Sequence, residues 1–382
     1  MHLTSLRTVQ WRNLEDRKFE LSPRVNVLVG ENGQGKTNFL EAVQYLALGR
    51  SHRGSRDEEI VRFGADHFYV GGVGQGDAGE TLCIEAGFTP PRSKRLKVDG
   101  RPVARLTDMI GVLACVSFGP EDAELSRGEP QLRRRYVDYA LAETSRTSLQ
   151  LLADYRRAAQ HRSALLRDNR GDAEAEQGLA VWDDELVRLG QQVVRRRAEA
   201  LAELAPAAAA AFAQLGAGQR LVLRYAVHAA GRTFGLEDGA GALLQELDAG
   251  QVEAAFRGRL RQRRSAELAR GVSLVGPHRD DVELELDGRD LRRFGSQGQC
   301  RAAAVALKMA QAEFITARRG DRPVVVLDDV FAEFDAARAA ALWEAVCARH
   351  QTFLALPRWS DLALGSGDAV FEVTAGVLRR RT

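Results

Sequence analysis

At 382 residues, the chain is longer than one small core requires and is expected to divide into roughly two or three lobes. Its 45% hydrophobic content is ordinary for a globular protein, no apolar run reaches the roughly 18 residues of a membrane span, and Met1-His2-Leu3-Thr4-Ser5-Leu6-Arg7 lacks a signal-peptide core; a soluble, cytoplasmic chain with no membrane partner is expected. The net charge of +2 conceals arginine clusters at Arg133-Arg134-Arg135, Arg156-Arg157, Arg195-Arg196-Arg197 and across 257–270, which either meet a polyanion or form solvated helix faces.

Residues 1–118 read mostly as strands, with turn signals at Gly71-Gly72, Gly74-Gln75-Gly76-Asp77 and Asp99-Gly100. Within them the apolar run Val25-Asn26-Val27-Leu28-Val29 leads into Gly30-Glu31-Asn32-Gly33-Gln34-Gly35-Lys36-Thr37, and an amphipathic run follows over 38–48. That is a complete G-x-x-x-x-G-K-[ST] loop in its strand–loop–helix setting. From 130 to about 215 the chain turns to alanine, leucine, glutamate and arginine. Leu149, Leu152, Tyr155 and Ala159, then Leu179, Trp182, Leu186, Leu189 and Val193, recur at helical spacing, with Asn169-Arg170-Gly171-Asp172 as the turn between two helices. Strands are expected at 220–229, at Val272-Ser273-Leu274-Val275 and at 282–286, and helices over 239–268 and about 298–318. Pro323-Val324-Val325-Val326-Leu327-Asp328-Asp329 reads as a buried parallel strand ending in two carboxylates. Cys83, Cys115, Cys300 and Cys347 have no C-x-x-C spacing, so neither a disulfide framework nor a zinc site is indicated.

These motifs describe a nucleoside triphosphate site. Glycines let the loop from Gly30 to Gly35 curl its N–H groups toward phosphates, beside the positive end of the following helix. Lys36 neutralises β and γ oxygens, and Thr37 and Asp328 hold Mg²⁺. Asp329 is placed to orient and deprotonate the attacking water, and because aspartate is a methylene shorter than glutamate, turnover is expected to be slow. Phe294-Gly295-Ser296-Gln297-Gly298-Gln299 opens the helix over 298–318 as a second anion nest. One nucleotide does not need two such nests in one chain, so Ser296, Gly298 and Gln299 are expected to cap the γ-phosphate held by a second copy. Glu333-Phe334-Asp335 follows, where related ATPases place a loop along the dimer seam.

The chain resembles the RecF family of SMC-related, ABC-type ATPases. Trp11-Arg12-Asn13, the stretch from Gly30 to Arg53, Pro120-Glu121-Asp122, Pro130 with Arg133, Arg134 and Asp138, Gly276-Pro277-His278-Arg279-Asp280-Asp281, Ser296 to Gln299, and Leu327-Asp328-Asp329-Val330-Phe331 carry the likeness in unbroken order. The resemblance implies an α/β fold: an ABC-type P-loop NTPase head split by an inserted, mainly helical arm lobe. The head halves would be 1–129 and 271–382, and the arm 130–270. It also implies ATP-dependent homodimerisation, slow DNA-stimulated Mg²⁺-ATP hydrolysis, binding to gapped or junction DNA, and cooperation with RecR and RecO in loading RecA. Arg133, Arg134, Arg195, Arg196 and Arg197 are the expected DNA contacts. One departure concerns the γ-phosphate sensor: Thr352-Phe353-Leu354-Ala355-Leu356 ends in Pro357 rather than histidine, leaving His278 either as sensor or as a brace for its own turn. A P-loop kinase or a transporter subunit fits this order poorly. A structural DNA clamp that binds ATP with little turnover is the alternative.

Overall fold

The computed structural model describes residues 1–76, 79–168, 173–215, 218–236, 249–358 and 364–381. They form two compact units, one of residues 1–121 and 311–382 and one of residues 122–310.

In the first unit, Val25–Val29 is an inner strand of a six-stranded sheet, flanked in parallel by Ala369–Thr374 and Thr352–Leu356. Val324–Asp328 and Cys115–Phe118 continue the parallel set, and Val377–Arg380 closes the other edge antiparallel. Three strands, Val25–Val29, Val324–Asp328 and Thr352–Leu356, are buried along nearly their whole length, as expected for parallel strands covered on both faces. A second, antiparallel sheet runs in the order Arg17–Glu20, His2–Val9, Phe68–Gln75, Thr81–Thr89, Ser93–Val98, Arg101–Pro102. The helix Lys36–Leu48 joins the two sheets into one core through Phe39, Leu40, Val43, Tyr45 and Leu46, all essentially buried.

Gly71-Gly72 and Gly74-Gln75 are not turns; they lie inside the strand Phe68–Gln75. These glycines serve close packing, since a Cβ at Gly72 would run into the Leu46 side chain of the helix above. The turn begins at Gly76, whose N–H donates to Glu80 O at 2.8 Å, and Asp77 lies outside the described residues. Asp99 and Gly100, both at positive φ, make the expected hairpin turn.

His350 also belongs to this unit. It is buried, with Nδ1 3.2 Å from Pro323 O. Burial, helped by the Arg322 and Arg349 charges and opposed by that hydrogen bond, lowers its pKa from 6.5 to about 4. The unfolded chain therefore takes up this proton first, so the stability tied to neutral His350 is complete above about pH 7 and drains away as pH falls through 6.5 toward 4. The loss at pH 5 is about 2 kcal/mol. Melting-temperature profiles should accordingly be flatter between pH 7 and 5 for His350→Gln than for the parent chain.

The second unit contains the helices Pro130–Thr144, Arg146–Asp168, Ala173–Gln214 and Ala249–Arg270 and an antiparallel sheet ordered Arg232–Gly235, Leu221–Val227, Asp281–Leu286, Arg289–Asp290. The helical stripes meet as a core: Tyr155, Leu186, Leu189 and Val193 pack with Phe256, Leu260 and Val275. By their contacts, residues 122–129 and 271–310 go with this unit rather than with the head halves expected for them, because Asp281–Leu286 pairs along its length with Leu221–Val227. The expected strand Val272 to Val275 is irregular instead. Its backbone is served by side chains: Leu274 N–H donates to Glu267 Oε1 at 2.8 Å and Ser273 N–H to Ser163 Oγ at 3.3 Å. Asn169 to Asp172, and 239–248 of the helix expected over 239–268, lie outside the described residues.

Candidate nucleotide site

The loop from Gly30 to Thr37 is held within the first unit by the hairpin that begins with Ala369–Thr374 and by its own lysine. Gly30 lies so close to the strand Ala369–Thr374 that a Cβ would strike Val373 O, and Gly35 precedes the helix Lys36–Leu48 at φ 116°, where an L side chain is strained. Gln34 is the tie point. Its carbonyl accepts from Gly376 N–H at 2.8 Å and its Oε1 from Ala375 N–H at 2.7 Å, both in the hairpin turn after Ala369–Thr374. Lys36 is 4% exposed, and its ammonium donates to the loop's own carbonyls at Gly30 and Glu31, at 2.7 and 3.0 Å. Glu31, Asn32 and Gly33 form the exposed crest. The N–H groups of the helix's first turn have no intrahelical partner and remain available to an anion.

Behind the loop, the Thr37 hydroxyl donates to Asp328 Oδ1 at 3.3 Å, so the two expected Mg²⁺ ligands stand together at the ends of neighbouring elements. Burial raises the Asp328 pKa; the Asp329 charge adds to this, while the Thr37 hydrogen bond and the Arg53 and Lys36 charges oppose it. An oxygen-rich pair with a destabilised carboxylate is a donor set suited to a hard divalent cation. Asp329 adopts a left-handed conformation, φ 53°, and its Oδ1 is buried with no hydrogen-bond partner. A left-handed non-glycine residue costs of order 1 kcal/mol, and such strain clusters at functional sites. Asp335 caps the next helix, accepting from Arg338 N–H at 2.9 Å.

A supporting layer around Asn13, Arg12 and Glu41 escaped chemical assignment in the sequence. Glu41, fully buried on the helix, accepts from Arg12 at 2.5 and 2.9 Å and from Ser51 at 2.5 Å. Asn13 accepts from Asn38 at 2.8 Å, and the Trp11 indole donates to Asn38 O at 3.0 Å. The available signal was the carboxylate in an otherwise apolar stretch of helix, facing an arginine beside a buried tryptophan.

In the second unit, Ser296 and Gln299 form a reciprocal capping box. Gln299 N–H donates to Ser296 Oγ at 3.2 Å and Ser296 N–H to Gln299 Oε1 at 2.7 Å, at the start of the helix Gln297–Arg319. Ser296, Gln297 and Gly298 are exposed, and Gln299 is partly buried, its amide donating to Gln219 Oε1 at 2.6 Å.

The chain matches the model of the RecF/RecN/SMC N terminal domain over residues 2–356. It is 35% identical to the DNA replication and repair protein RecF of Heliobacterium modesticaldum, covering 100% of this chain and 99% of the relative, and 37% identical to that of Symbiobacterium thermophilum, covering 99% and 98%. The chain belongs to the RecF family. A solved structure of the recombination mediator protein RecF with ATP in the RecFOR pathway superimposes with a TM-score of 0.88 at 28% identity, covering 100% of this chain and 98% of that one. The Smc head domain of Pyrococcus furiosus, with a TM-score of 0.57 at 15% identity, shares the fold. The architecture is thus the RecF/SMC ATPase head fold.

Against this RecF frame, two of the expected DNA contacts, Arg133 and Arg197, must be withdrawn. Arg133 is buried, donating to Asp281 at 2.8 and 2.9 Å and to the carbonyls of Leu125 and Gly128. Arg197 is buried too, paired with Asp138 at 2.8 and 3.0 Å and donating to Pro277 O at 2.6 Å. Neither has a surface to offer a phosphate. Arg134 is half-buried on Asp280 O at 2.5 Å, while Arg195 and Arg196 are exposed and share Glu199. His278 is engaged at both ring nitrogens, by the Tyr155 hydroxyl at 2.7 Å and Ser273 O at 3.0 Å, so it braces its turn and has no nitrogen left for sensing. His350 points its Nδ1 at Pro323 O, away from that role as well.

Proposed function

We propose that this chain is an ATP-dependent DNA-binding ATPase of recombinational repair and replication that hydrolyses ATP slowly, is stimulated by DNA, and works as an ATP-bound homodimer. The observation that carries the reading is the juxtaposition behind the phosphate loop: Thr37 bonded to Asp328, with Asp329 beside it holding an unpartnered carboxylate oxygen. Gly30 to Thr37 would bind the triphosphate, and Thr37 and Asp328 would hold Mg²⁺, whose charge would offset that of the phosphate oxygens. Asp329 would accept the proton of the attacking water. The solved relative with bound ATP in the RecFOR pathway supports the nucleotide and RecR and RecO as partners, and RecA loading at gapped DNA is the role that the family resemblance adds to the proposal. A cytoplasmic location goes with this reading; among the described residues no helix is long and apolar enough to cross a membrane.

The capping box at Ser296 supplies the dimer half of the proposal. The N–H groups of the exposed Gln297 and Gly298, in the first turn of the helix it opens, would close over the γ-phosphate held by a second copy, so nucleotide and interface share one ligand. Ser296→Arg fills that nest while leaving the loop of its own chain untouched. Binding of a fluorescent ATP analogue should be unchanged, and sedimentation with ATP should show monomers where the parent shows dimers. A variant that dimerises like the parent would remove Ser296 from the interface.

A further inference from the structure

The helix Ala249–Arg270 carries arginines of two kinds. Arg257 is paired with Glu253 and Asp184, and Arg264 with Asp183. Arg259 and Arg263, one turn apart on the helix, have no acidic partner among the described residues. A third guanidinium comes from another element: Arg279 follows Pro277 and His278, is exposed, and among the described residues its guanidinium donates only to Ser273 O, at 3.4 Å. His228, at the end of Leu221–Val227, stands in the same neighbourhood. Its backbone N–H is held by Asp280 at 2.8 Å and the adjacent Ala229 packs with Phe256 and Leu260 of the arginine helix, while Arg259 reaches over Gly231 of the same turn.

Two buried polar atoms in this cluster have no partner: His228 Nδ1 and Arg259 Nε. Burial, together with the charges of Arg259, Arg279 and Arg263, pushes the His228 pKa down. Buried donors and acceptors are nearly always satisfied, so two orphans beside three unneutralised guanidinium groups indicate a site built for an anion with several oxygens. None of the exposed large hydrophobic residues, Phe63, Leu106, Val181, Phe294 and Val377, belongs to the cluster. A protein partner would need such an anchor at the centre of its interface, whereas a nucleic-acid backbone is held by charge alone.

We propose that Arg259, Arg263 and Arg279, with His228 beside them, form a phosphodiester-binding site on the second unit that contacts the DNA backbone. The inference rests on the DNA-binding reading above and gives that reading its residues. The test is fluorescence anisotropy of the full chain with ATP and Mg²⁺ on a labelled mixed-sequence duplex over a salt series, comparing the parent, Arg259→Gln/Arg263→Gln, and Arg263→Glu. Arg263 is exposed, so its reversal leaves the fold intact, which a melting curve checks. The log K against log salt slope should shrink by about 1 for each arginine removed per engaged protomer, with weaker binding at every salt concentration. An unchanged slope in both variants, with a parent that binds the duplex, would take this cluster off the DNA while leaving the ATPase reading standing. A parent that binds no duplex would remove the cluster's role and the DNA-binding reading together. Labelled polyglutamate that binds the parent and is lost in Arg263→Glu, while duplex affinity is unaffected, would make the cluster a dock for an acidic protein and overturn the proposal.

Discussion

Asp329→Asn is expected to bind ATP as the parent does, to lose single-turnover hydrolysis by about 10²–10⁴-fold, and to accumulate as a persistent ATP-bound dimer. Asparagine has nearly the same shape and tolerates the left-handed conformation found at this position, φ 53°, so the backbone has no reason to move. What changes is that the unpartnered oxygen next to Asp328 loses its negative charge and can no longer accept a proton. Nucleotide retained at the interface favours the associated state for as long as it survives. Asp328→Asn should differ, because it removes the acceptor of the Thr37 hydroxyl and a proposed Mg²⁺ ligand, impairing metal-dependent binding and hydrolysis together. Quench-flow hydrolysis and sedimentation separate the two variants. Parent-like single-turnover rates in Asp329→Asn would show that another group deprotonates the water.

Arg197→Met should be among the most damaging substitutions in the second unit although it touches no proposed ligand. Arg197 neutralises Asp138 and approaches Asp280, a fully buried carboxylate that also accepts from the Tyr225 hydroxyl at 2.6 Å. Removing the cation leaves buried negative charge uncompensated, at a cost of about 3–5 kcal/mol. Melting of this unit should fall by roughly 10 °C. Arg195→Ala and Arg196→Ala, on the exposed face with Glu199, should stay within about 0.5 kcal/mol of the parent. Calorimetry that ranked the three alike would contradict the burial of Arg197.

The elements that carry the candidate nucleotide residues could be placed from sequence because their signals are local. The phosphate loop announces itself by spacing, the strand Val324–Asp328 by five apolar or terminal-carboxylate positions in a row, and Ser296 by its place before a long helix. Arginine clusters carried no such information. Arg195, Arg196 and Arg197 are neighbours in sequence, yet helical geometry sends the third into a buried pair with Asp138 and leaves the first two in solvent. Which arginine faces inward depends on carboxylates far away in the chain, such as Asp281 for Arg133. Glycines misled in the same way: Gly72 is small to admit Leu46, a tertiary reason that local sequence expresses identically to a turn.

The phosphate-loop strand has a history as well as a position. Val25–Val29 is flanked by Thr352–Leu356 and Ala369–Thr374, and the nearby contact from Leu3 N–H to Gln351 Oε1 joins residues 348 apart. During synthesis, both hydrogen-bonding edges of this hydrophobic strand must therefore wait, unpaired, until residues 352–374 have left the ribosome. Such exposed edges are templates for aggregation, and pairing across this separation is slow. The Gln34 anchor arrives later than either flanking strand, with Ala375 and Gly376. A nascent or truncated chain lacking the segment 352–376 would thus display the complete phosphate-loop motif with no formed pocket around it, and competence to bind nucleotide would wait for that segment.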